Sequence, residues 1–136
     1  MIGNVLNLFI NKVEISELVV DAKGILGDKH YAQDVERSIL ITSTCSYDIA
    51  SKSNISLDYG KLSENIHIDC NIYNLEAGSK LKIGNTILQI SQHCTLCKSL
   101  TKIDNKLPKL LKKDRGVFAK VLQIGTISQN DKVEFL

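Results

Sequence analysis

Apolar residues in this chain come in short bursts separated by turn-forming clusters rather than in long stripes. Residues 4–10 (NVLNLFI) alternate in part, residues 18–20 form a brief apolar run, and residues 38–42 (SILIT) are apolar enough for a strand buried on both faces. The series continues at 66–68, 80–83, 86–90, 117–124 and 132–135. Between KLKI and TILQI stands Gly84-Asn85, two residues that tolerate positive φ, which predicts a tight hairpin.

Two segments read as helical. Residues 44–52 follow a Ser/Thr cluster able to cap a helix and bring Ile49 and Ala50 onto one turn. From 97 to 113, Leu100, Ile103, Leu107, Leu110 and Leu111 recur at helical spacing with lysines on the other face, and Pro108 kinks or divides the segment. About eight strands, two helical pieces, no βαβ alternation and no internal repeat predict a closed or nearly closed, mainly-β barrel, with residues 1–136 forming one domain.

Composition supports this picture. The 136 residues are 43% hydrophobic and 24% charged, the balance of a single soluble globular domain, which excludes disorder, collagen and coiled coil. With 5% aromatics, no Trp and one Pro, the core must be built of Ile, Leu and Val, whose branched side chains suit pleated strands. A net charge of +2 is too small for a general nucleic-acid binder. The distribution matters more: residues 98–120 hold eight basic against two acidic residues, a local surplus of six, leaving the remainder mildly acidic. The first ten residues lack the basic start and long apolar run of a signal peptide, and no stretch approaches the ~20 apolar residues of a membrane span. A cytoplasmic protein without a membrane role is expected, with Cys45, Cys70, Cys94 and Cys97 as thiols.

Four clusters could carry chemistry. Gly24 to His30 is a glycine-bearing turn in which Gly27 frees the backbone while Asp28 and His30, with Arg37 downstream, gather polar function; it could also be an ordinary loop. At Ser63-Glu64-Asn65-Ile66 a carboxylate and an amide enter a strand, either as a turn cap or to read a polar ligand. His93-Cys94-Thr95-Leu96-Cys97-Lys98 precedes the lysine-rich helix, where a thiol gains thiolate character from the helix dipole and an adjacent cation, and Cys97 is better placed for this than Cys94. A redox C-x-x-C, half of a zinc site, and one reactive thiol beside a bystander all compete there, although no second C-x-x-C or H-x-x-H completes a zinc set. Last, Arg115-Gly116 leads into a strand, and the planar fork of arginine suits capture of a phosphate or carboxylate, unless Arg115 is only a solvated turn residue.

Taken in order, these clusters resemble the MOSC family, the domain named for the C-terminal part of molybdenum-cofactor sulfurases. The turn Gly27-Asp28-Lys29-His30 with Arg37 looks like the early signature of the family, Glu64-Asn65 its glutamate-asparagine segment, Lys80 to Ser91 its hairpin, Cys97 its characteristic cysteine, and Arg115 to Val121 its last motif. Ser63 stands where glycine is usual, Leu96 where proline often precedes the cysteine, and Asn130-Asp131 in place of glycine-aspartate.

The resemblance implies a β-barrel and a cysteine that carries sulfur as a persulfide or coordinates the metal of bound molybdenum cofactor (molybdopterin). Larger relatives add a pyridoxal-phosphate cysteine-desulfurase domain, for which these 136 residues leave no room, so the expected sulfur donor is a separate protein such as a cysteine desulfurase and the acceptor a molybdoenzyme. On this reading Cys97 is the carrier or metal ligand. Arg37, Arg115 and some lysines between 98 and 113 hold the pterin phosphate, the turn from Gly27 through Asp28 to His30 shapes the pocket with Gly116 beside it, and Glu64 and Asn65 bond the pterin or brace a loop. Two other readings stand: a molybdenum-dependent reductase of N-hydroxylated purine-type compounds, and a non-enzymatic binding module with a structural C-x-x-C whose basic lobe docks an acidic partner.

Overall fold

Seven strands close on themselves in a ring because the first and last pair with each other. The structure, a computed structural model, describes residues 2–95 and 98–136, apart from the side chains of Ile2 and Lys98. Around the ring, β1 (Ile2–Ile10) pairs with β11 (Lys132–Phe135), then follow β7 (Lys80–Ile83), β8 (Thr86–His93), β9 (Val117–Gln123), β5 (Ile39–Ser43) and β6 (Ile66–Ile68), which returns to β1. Strand β2 (Val13–Ile15) folds back on the end of β1 through Asn11 and Lys12, both at positive φ. Outside the ring, β3 (Glu17–Asp21) lies between β10 (Gly125–Ser128) and the short β4 (Gly24–Ile25) in a second sheet.

All eight strands read from the sequence are present. The hairpin of β7 and β8 turns at Gly84, which alone of the two turn residues takes positive φ, while the Asn85 carboxamide accepts from the Thr126 amide at 2.8 Å. The expectation of no βαβ unit is corrected. β5 and β6 run parallel, Ile41 beside Ile66, and α1 (Thr44–Lys52) lies in the crossover between them. The run that read as buried on both faces is this parallel strand, buried at all five positions, as crossover packing requires.

Inside the barrel, Val5, Leu8, Ile39, Ile41, Ile66, Ile68, Leu81, Ile83, Leu88, Val117 and Val133 are wholly buried, so the interior is aliphatic as the composition demands. A second core forms where Tyr47 and Ala50 of α1 meet Leu62, Leu100 of α2 (Lys98–Ile103), Leu107 of α3 (Leu107–Leu110) and Leu111. Pro108 divides the helical segment rather than kinking it, since it sits in the first turn of α3 where its missing N–H costs nothing. Among the described residues no helix is long and apolar enough to cross a membrane.

Candidate functional site

At one end of the barrel the turn of residues 27–30, the short 3-10 turn Val35–Arg37 and the start of β9 enclose a cleft of about 410 Å³. Asp28 is nearly buried. Its carboxylate accepts from the His30 amide at 3.3 Å and lies 3.4 Å from His30 Nδ1, which holds the largely exposed imidazole at the rim. Gly27 makes the turn possible at φ +88, a conformation strained for any residue with a Cβ. The Asn11 carboxamide reaches the Lys29 amide at 3.4 Å and joins this turn to the one after β1.

Opposite, Asp34 caps the 3-10 turn by accepting from the Glu36 amide, and Arg37 at its end lays its guanidinium 5.5 Å from the centre of the Phe118 ring. Phe118, Leu40 and Cys94 form a small buried cluster in the cleft wall. Arg115, only 4% exposed, also lines the cleft. Gly116 stands at φ +151, where a Cβ would come within 3.1 Å of Leu40 Cδ1 and 3.2 Å of the Ile41 carbonyl oxygen, and its own carbonyl accepts from the Cys94 amide at 2.9 Å. The same tight turn that carries the buried Arg115 therefore also anchors the segment at Cys94.

Asn65 lines the cleft and braces it: its side chain accepts from the Leu40 amide at 3.0 Å and donates to the Phe9 carbonyl at 3.3 Å, tying β5 to β1. Ser63 takes φ +66, the left-handed conformation a glycine would adopt freely. The structure thus brings Asp28, His30, Arg37, Asn65 and Arg115 to one cleft, with Gly27 and Gly116 shaping its turns.

Three expectations fall elsewhere. Glu64 does not line the cleft; it is buried behind the wall, where its Oε2 accepts from Thr42 Oγ1 at 2.7 Å and from the Tyr47 hydroxyl. The lysines at 102, 106, 109, 112 and 113 lie outside the cleft, whose cations besides the arginines are Lys12 and Lys29. Lys12 was not legible as a site residue, because nothing local says that the turn after β1 returns beside the turn of residues 27–30. Cys97, with Leu96, lies outside the described residues. Cys94, 2% exposed, lines the cleft. Among the described residues Cys45, Cys70 and Cys94 are free thiols, and no three His, Cys, Asp or Glu side chains gather as a metal cage.

Four cations against Asp28 and Asp34 give the cleft a positive balance for an anion, while these carboxylates and the carboxamides of Asn11, Gln33 and Asn65 offer partners for a polar heterocycle. Its volume lies in the range of small-molecule sites, roughly 300–1,000 Å³, and a thiol on its wall adds a soft ligand. This donor set fits a pterin bearing a phosphate and a thiophilic metal.

Comparison with known proteins gives a family and a fold. The MOSC domain matches residues 26–134. No curated protein matches the sequence. The fold is similar to the crystal structure of the YuaD protein from Bacillus subtilis, with a TM-score of 0.82 and 18% identity over 98% of this chain and 94% of that one. It is also similar to YiiM from Escherichia coli, with a TM-score of 0.78 and 18% identity over 100% of this chain and 70% of that one. YiiM from Geobacillus stearothermophilus gives a TM-score of 0.71 and 15% identity over 99% and 72%.

Proposed function

The chain belongs to the MOSC domain family, which is associated with binding of the molybdenum cofactor, and from that premise we propose that it holds the anionic pterin cofactor in this cleft and carries sulfur on Cys97. One observation carries the reading: the nearly buried guanidinium of Arg115 shares a cleft with Arg37 and with the thiol of Cys94, three residues before Cys97.

Arg115 and Arg37 would grip the phosphate, since a guanidinium removed from water forms charge-assisted bonds stronger than those of a solvated lysine. Lys12 and Lys29 add positive charge to the lining. The carboxylate of Asp28 and the carboxamide of Gln33 would meet the hydrogen-bonding edge of the heterocycle, and Phe118 and Leu40 would exclude water from one side. When bound, the cofactor supplies a metal centre with affinity for sulfur.

The step assigned to Cys97 is a thiolate attack on the outer sulfur of a donor persulfide. A new S–S bond forms on Cys97, the S–S bond of the donor breaks, and the donor cysteine departs as a thiolate, so that one sulfur moves without any external oxidant or reductant. The test is intact mass after incubation with a cysteine desulfurase and cysteine. A gain of one sulfur that persists in Cys94→Ser and disappears in Cys97→Ser is expected; the reverse pattern overturns the assignment. For the cleft, Arg115→Ala should weaken binding of isolated molybdenum cofactor by roughly tenfold or more, the equivalent of about 1.5–3 kcal/mol for a charged hydrogen bond. Unchanged affinity would remove the anion site from Arg115.

A further inference from the structure

The lysines left outside the cleft form a face of their own. Helices α2 and α3 turn Leu100, Leu107 and Leu111 into the second core, and Lys102, Lys106, Lys109, Lys112 and Lys113 remain exposed on the outside. Among the described residues the one lysine–carboxylate ion pair is Lys120 with Glu36 at 3.2 Å, so none of these five is neutralised. Asp104 is engaged at home, accepting from the Lys106 amide at 2.8 Å. Lys112 and Lys113 also line a second hollow of about 440 Å³ together with His93, Asn74, Tyr73 and Asp114, a basic recess that carries one carboxylate of its own. His93 ends β8 and immediately precedes Cys94, so the recess borders the segment that leads to Cys97.

We propose that this lysine face and its recess dock the acidic surface of the sulfur-donor protein, with a carboxylate of the donor seated between His93 and Lys112-Lys113. The inference rests on the assignment of Cys97 as the sulfur carrier. Charge complementarity selects the occupant: clustered like charges steer a partner of opposite sign and raise its association rate. Ile103, 38% exposed, places an apolar contact beside Lys102, the arrangement of a protein interface with an apolar centre and charged rim. A single-stranded nucleic acid would call for stacking side chains, which the helical face lacks, whereas a duplex bound through its phosphates is the competing occupant that retention on DNA tests. A membrane surface would require an apolar face turned outward, whereas three of the five periodic apolar residues are buried.

The experiment compares two donors to Cys97, purified cysteine desulfurase with cysteine, and cysteine persulfide, a small molecule that has no protein surface to dock. In the triple variant Lys102→Glu, Lys109→Glu, Lys113→Glu, the second-order rate of loading from the desulfurase should fall by about tenfold or more at low salt, while loading from cysteine persulfide stays unchanged. For the unsubstituted protein, raising the salt should slow only the desulfurase reaction. Desulfurase loading that is indifferent to both salt and the substitutions, or retention on a DNA duplex as strong as on the desulfurase, overturns the docking face. Failure of Cys97 to load from either donor overturns the carrier assignment instead. The salt series on the unsubstituted protein decides the matter should the triple variant misfold.

Discussion

The Tyr47 hydroxyl donates to the Glu64 carboxylate in the interior, joining α1 to the segment that enters β6 just behind the cleft wall. Thr42 Oγ1 donates to the same oxygen at 2.7 Å and lies 2.9 Å from His67 Nδ1, while the Gly60 amide donates to Tyr47 Oη at 3.2 Å. Burial and the neighbouring carboxylate push the Tyr47 phenol far above its ordinary range, so it stays protonated and donates.

Tyr47→Phe removes one donor from a fully buried carboxylate and should lower unfolding free energy by about 1–3 kcal/mol in urea titration. A double-mutant cycle with Glu64→Gln should show a coupling of about 0.5–3 kcal/mol. Strictly additive single effects would mean that the contact contributes nothing.

His67 is wholly enclosed, and burial holds its imidazole below its ordinary value despite the opposing pull of Glu64. The folded protein therefore binds this proton more weakly than the unfolded chain. The contribution of His67 to stability is complete above pH ~6.5 and is lost as the pH falls from there through the depressed folded value. Melting temperatures between pH 8 and pH 5 should decline less steeply in His67→Gln than in the unsubstituted protein.

Two glycines separate strain from close approach. Gly78 has φ +96 with open space where a Cβ would go, whereas Gly116 at φ +151 has Leu40 and the Ile41 carbonyl against it. Gly78→Ala should cost about 1 kcal/mol of backbone strain. Gly116→Ala should cost about 1–3 kcal/mol more through overpacking, read as a larger fall in the denaturant midpoint.

Burial, reinforced by Asp69, pushes the Cys70 thiol up to about 11. At pH 8 roughly one molecule in a thousand carries its thiolate. Iodoacetamide should therefore label Cys70 only at the rate of unfolding, rising with added urea, as followed by peptide mass mapping. Rapid labelling in native buffer would contradict this burial.

Strands long enough to alternate, such as β7 and β8, were legible in the chain because their burial follows the pleat. Strands β2, β4 and β10 were not. They are two to four residues long, and Val13 in β2 is 63% exposed, so no periodicity marks them. Turn chemistry revealed Asp28, His30 and Arg115, since polar groups near glycines declare themselves locally, and Arg37 was read as their downstream partner. Glu64 misled because it is adjacent to Asn65, yet in the bend that leads into β6 only Asn65 lines the cleft. Its partners come from α1 and β5, a relationship that only the folded topology creates.

The Cys94 amide is fastened to the Gly116 carbonyl, so the residue after β8 and the arginine turn share one backbone hydrogen bond. A group held by Arg115 within the cleft would therefore lie one peptide unit and one hydrogen bond from the backbone of Cys94, the nearest link between the anion site and a thiol.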